Sequence, residues 1–114
     1  MTMKAEKISP ASIAKLADAM MSADPVVSKA GKMDLEVAAH AAAAPGNGPV
    51  RAVMASALVL VANSNRPRLV RAHALKLIGF VGAKAHATGI SKLSNHPEIG
   101  QDTKIAIRRI SAGK

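Results

Sequence analysis

The chain has 114 residues and is 49% hydrophobic, which is enough for one domain with its own core and argues against disorder. It has no cysteine, so disulfide frameworks and thiolate chemistry are excluded, and its single aromatic residue, Phe80, disfavours base-stacking modes of nucleic-acid binding. The net charge of +9 is uneven: residues 1–47 carry five lysines and five acids, whereas residues 48–114 carry eleven Lys and Arg against Glu98 and Asp102. An excess confined to one part of a chain points to an acidic partner, either a protein surface or a nucleic acid.

Residues 1–8 lack an apolar segment of the kind a signal peptide needs and read as a flexible N-terminus before a single all-helical domain over 9–112. Ser9 caps a first helix over about 10–22, with Ile13, Leu16, Ala17, Met20 and Met21 as its apolar stripe. Asp24 caps a second over about 25–43, with Val26, Val27, Ala30, Met33 and Val37 at inward spacing, and Pro45-Gly46-Asn47-Gly48 breaks it. A third helix, about 49–62, is apolar on most of its circumference and is expected to be the most buried element. Its longest apolar run, Ala52 to Ala62, is too short to cross a bilayer, which with the missing cysteines predicts a soluble, cytoplasmic protein.

The fourth helix, about 67–81, opens at Pro67, where a missing N–H costs nothing, and carries Val70, Ala74, Leu77, Ile78 and Val81 on one face. Phe80 lies beside that stripe and is expected in the core. A short fifth helix fits about 83–94, with Ile90 and Leu93 inward. A sixth fits about 97–111, with Ile99, Thr103, Ala106, Ile107 and Ile110. Prolines 25, 67 and 97 each open the second helix of an antiparallel pair, giving pairs over 10–44, 49–81 and 83–111.

Within the middle pair, Pro67-x-x-Val70-Arg71-x-x-Ala74-Leu75-x-x-Ile78-Gly79 resembles the second helix of a HEAT-like repeat. The other pairs share the proline, the aliphatics after it and the length. The resemblance implies a short solenoid of three stacked helical pairs; the alternative architecture is an irregular six-helix bundle. It also implies a binding module, with the second helices side by side on a concave surface. Arg68, Arg71, Lys76, Lys104 and Arg108 would then form a positive stripe that Lys29 and Lys32 extend. HEAT-like DNA glycosylases are longer chains with aromatic and acidic pocket residues, so their activity does not carry over.

The candidate binding residues are therefore Arg51, Arg66, Arg68, Arg71 and Lys76 around the third and fourth helices, and Lys104, Arg108 and Arg109 on the sixth. Arginine forks suit carboxylates and phosphates alike. The expected partner is an acidic protein surface, with sequence-nonspecific grip on a phosphate backbone as the alternative. The four histidines lack metal-ligand spacing, and His73 reads as a surface or interface residue. The acids form no paired constellation, and the glycine clusters lack the Lys-Ser/Thr of a phosphate loop. No catalytic residue, metal or cofactor is expected. Ala55, Val59 and Leu60, with Leu75 and Ile105 beside the basic stripe, are a surplus of apolar residues that could meet another chain, a second copy included.

Overall fold

Ser9 sets the start of the first helix. Its side chain accepts the Ser12 backbone N–H at 3.1 Å, and Ser12 Oγ accepts the Ser9 N–H at 2.9 Å, so two donors left unpaired by the helix start are satisfied reciprocally. In the computed structural model, which describes residues 8–112, this helix is α1 (Pro10–Ala19). Of the expected flexible N-terminus, residues 1–7 lie outside the described residues, and Ile8 is buried in the core. Asp24 caps α2 (Pro25–Ala42) by accepting the Val26 N–H at 2.9 Å. The others are α3 (Gly48–Ala62), α4 (Arg68–Val81), α5 (Lys84–Ile90) and α6 (Gly100–Ala112), with a 3-10 turn at Ser91–Asn95.

The protein is all-helical, with six α-helices among the described residues. Boundaries shift at α5, which ends at Ile90 instead of 94, where the 3-10 turn takes over, and at α6, which begins at Gly100 instead of Pro97. His96 Nδ1 accepts the Glu98 N–H at 3.1 Å and holds Pro97 in a turn before the helix. The chain then passes so close to the 3-10 turn that a Cβ on Gly100 would lie 2.6 Å from the Ser94 carbonyl oxygen. Proline therefore opens α2, precedes α4 and lies outside α6.

The helices contact one another in two rows. α3 touches α1 and α5, and α4 touches α2 and α6, while α1 packs on α2, α3 on α4 and α5 on α6. The smallest dimension is 18 Å, about two helix layers at the usual interaxial distance of roughly 8–10 Å. Ile13, Leu35, Met54, Leu58, Leu75, Ile78, Ile90 and Ile99 are fully enclosed. α3 buries Met54, Ala55, Ala57, Leu58, Val61 and Ala62, while Val53 and Leu60 remain exposed. Two members of the expected apolar surplus, Ala55 and Leu75, are thus core residues.

α2 departs most from the sequence expectation. Its buried residues are Gly31, Leu35, Ala38, Ala39 and Ala42, and the expected inward residues Val26, Val27, Met33 and Val37 are all exposed. Close approach explains the choice. A Cβ on Gly31 would meet Ala19 Cβ and the Leu16 carbonyl oxygen, each at 2.9 Å, so α1 and α2 cross nearly backbone to backbone. Only the Gly/Ala face permits that distance, and dense contact along it outweighs the larger side chains on the other face. Ser28 Oγ adds a hydrogen bond to the Met20 carbonyl at 2.8 Å, which ties the start of α2 to the end of α1.

Gly31→Ala is expected to destabilise the fold by about 1–3 kcal/mol through overpacking, despite a helix-propensity gain of about 1 kcal/mol. Gly48→Ala, whose Cβ would have nothing within 4 Å, should be neutral or slightly stabilising. Denaturant melts of the two variants beside the wild type check this contrast.

Candidate functional site

A helix leaves its last carbonyls unpaired and carries partial negative charge there, so a cationic donor nearby is held strongly. Two of the candidate arginines, Arg51 and Arg71, are held in this way. Arg51, at the start of α3, donates from Nε to the Val81 carbonyl at 2.9 Å and from Nη2 to the Phe80 carbonyl at 3.2 Å, closing the end of α4. Arg71 donates from Nε to the Ala62 carbonyl at 2.9 Å, closing the end of α3. Asn47 does the same for α2, donating from Nδ2 to the Ala41 carbonyl at 2.8 Å.

Arg66 and Arg68 join separate elements. Arg66 Nε lies 2.9 Å from Asp18 Oδ1 on α1. Arg68 Nε donates to the Glu98 carbonyl at 3.0 Å, and its Nη2 lies 3.8 Å from Asp102 Oδ2 on α6. Four of the eight candidate residues thus have donors committed within the fold.

A groove of about 670 Å³ runs between α2, α4 and α6, the second helices of the three expected pairs. Met20, Leu69, Val70, Ala72, Ile105 and Ala106 give it an apolar floor, and Lys29, Lys32, Lys76 and Arg109 bring four positive charges to it. Asp102 is the acid at the groove, and Arg68 holds it. Lys76 and Arg109 are the two candidate residues that line the groove directly, and the expected extension by Lys29 and Lys32 is present there. Arg71 is turned to the end of α3 instead. Lys104 and Arg108 are exposed on α6 but do not line the groove, because its groove-facing positions are Asp102, Ile105, Ala106 and Arg109. The continuous five-residue stripe is therefore replaced by four cations distributed over α2, α4 and α6.

His73, which the sequence places at a surface or interface, is only 6% exposed. It follows Ala72 on the groove side of α4 and packs against α2. Its Nε2 has no hydrogen-bond partner among the described residues and lies 4.0 Å from a Glu36 carboxylate oxygen. Burial pushes the imidazole below its ordinary value; the Glu36 carboxylate opposes this, and the Lys32 and Lys76 ammonium groups add to the lowering. Sequence reasoning also missed Leu69, which is 74% exposed. The available signal was its position outside the Val70, Ala74, Leu77, Ile78, Val81 stripe. Phe80 is exposed instead of buried, with its ring centroid 4.8 Å from that of His40 on α2.

The remaining histidines have structural duties. His86 Nδ1 accepts the Ala83 N–H at 2.9 Å at the start of α5, and His96 holds the turn before α6. Among the described residues, no group of three His, Asp, Glu or Cys could hold a metal ion, and no helix is long and apolar enough to cross a membrane. An apolar floor edged by lysine and arginine is suited to a ligand that carries both aliphatic surface and carboxylates. No protein-family model, curated protein or solved structure matches the chain.

Two outcomes are expected. Arg71→Ala should cost about 1–3 kcal/mol by stripping a charged donor from a helix end, whereas Lys104→Ala and Arg108→Ala should each stay within about 0.5 kcal/mol; chemical denaturation separates them. The second concerns pH. Because His73 has a lower pKa folded than unfolded, the unfolded chain binds the proton first as pH falls. Its contribution to stability is complete above the ordinary histidine value and is lost on acidification through that value toward the folded one. His73→Leu should therefore show a shallower loss of thermal stability between neutral and mildly acidic pH than the wild type.

Proposed function

We propose that this chain is a non-enzymatic helical-repeat module that binds an acidic, amphipathic segment of a protein partner in the α2–α4–α6 groove. The observation that carries the reading is the combination of Lys29, Lys32, Lys76 and Arg109 with an apolar floor containing the exposed Leu69. Aliphatic contact supplies buried area, and the cations supply steering and select for carboxylates. The two rows of helices, with α4 between α2 and α6, support a HEAT-like arrangement in which second helices form the binding face. A cytoplasmic setting suits a chain without cysteine.

The alternative, a binder of nucleic-acid backbones, draws on Lys104 and Arg108, which are exposed on α6 outside the groove, and on the positive excess of residues 48–114. An apolar floor has no counterpart in phosphate recognition, which favours the protein partner.

Selection from a displayed library of helical peptides tests the proposal. The enriched peptides should carry large aliphatic residues on one face with Asp or Glu beside them. Leu69→Asp or the pair Lys32→Glu/Lys76→Glu should lower their affinity by roughly tenfold or more, while Lys104→Glu/Arg108→Glu changes it little. Titration of random-sequence duplex DNA and RNA should give weak or no binding at moderate salt. Tight nucleic-acid binding that ignores Leu69→Asp and collapses in Lys104→Glu/Arg108→Glu would instead make the backbone-binding reading correct.

A further inference from the structure

The face of α2 opposite its Gly/Ala contact with α1 has no partner among the described residues. Val26, Ala30, Met33 and Val37 follow one another at intervals of four, three and four, the spacing of a two-helix seam. All four are exposed, with Val26 at 76%, Met33 at 52% and Val37 at 37%. Scattered exposed aliphatics need no explanation, but a continuous stripe on one helix does. At the end of α2 the stripe reaches His40, whose ring lies tilted by 55° against the exposed Phe80 ring.

We infer that this face of α2 packs antiparallel against α2 of a second copy of the chain, making a two-fold symmetric dimer. The charges beside the seam point to that occupant. Lys29 and Glu36 sit on the same flank of the stripe, seven residues apart. In an antiparallel pair whose axis passes between Ala30 and Met33, Val26 meets Val37 of the other copy and Ala30 meets its Met33. Lys29 then reaches Glu36 of the other copy, and symmetry repeats the pair, so one surface complements itself as an isologous interface requires. A parallel pair would place Lys29 opposite Asp34 and leave Glu36 facing Ala41. The antiparallel order uses both charges and opposes the two helix dipoles. Lys29 also borders the groove, so dimerisation is read on the chain alone, with no groove ligand present.

Sedimentation equilibrium over a wide range of protein concentration provides the test. The wild type is expected to show a reversible monomer–dimer equilibrium. Met33→Glu should be monomeric at the same concentrations with unchanged helicity. Lys29→Glu alone and Glu36→Lys alone should each weaken the dimer by roughly five- to tenfold, and the combined Lys29→Glu/Glu36→Lys variant should regain most of the loss. A wild type that stays monomeric throughout, or a Met33→Glu variant that dimerises like the wild type, would overturn the inference. Single charge reversals that weaken the dimer without rescue in the combined variant would overturn the antiparallel order.

Discussion

The near-contact of α1 and α2 at Gly31 is the constraint on which most of this architecture depends. With a Cβ there barred by the α1 backbone, the Gly31, Ala38, Ala39 and Ala42 face of α2 can settle into the core, and no other face of that helix can approach as closely. The orientation of α2 follows. Lys29 and Lys32 are directed to the groove beside α4, Glu36 is brought to His73, and Val26, Met33 and Val37 are left outside. A choice made by packing distance thus determines which charges meet which partners.

The arginines divide into those that build the fold and those still available to a ligand. Arg51 and Arg71 satisfy helix-end carbonyls that would otherwise depend on water, and Arg66 and Arg68 link α1 and α6 to the α4 region. The two ion pairs, at Arg66 and Arg68, fix the angles between elements more than they add net stability, since exposed ion pairs are worth little. The groove cations, three lysines and Arg109, come from α2, α4 and α6 and surround apolar surface. Having them on three different helices makes the charge pattern a property of the packing, which is why the reading of an acidic, amphipathic partner rests on the groove as a whole.

Much of the fold was legible in the sequence. Ser9 and Asp24 as caps, the breaking Pro45-Gly46 segment, and the Val70, Ala74, Leu77, Ile78, Val81 stripe each correspond to structure, because each is a local rule acting within one turn. The orientation of α2 was not legible. Hydropathy ranks Val and Met above Gly and Ala, whereas the contact with α1 is decided by how near two backbones can come. The candidate site was half legible for a related reason. Charge counts located the basic region, yet nothing local distinguishes Arg71, bound to the end of α3, from Lys76, which lines the groove. His73 escaped for the same cause: its neighbours in sequence are not its neighbours in space, and its burial arises from α2 packing across it.

Thiol accessibility tests the orientation of α2 most directly, and a chain without native cysteine allows a single probe to be placed cleanly. Met33→Cys and Leu35→Cys would be made separately and labelled under native conditions at high dilution, where any self-association is suppressed. The account predicts rapid labelling of Met33→Cys and strong protection of Leu35→Cys, since position 33 is half exposed and position 35 is enclosed. Protection at position 33 with rapid labelling at 35 would mean that the Val/Met face is the buried one, which would contradict the groove and the seam together.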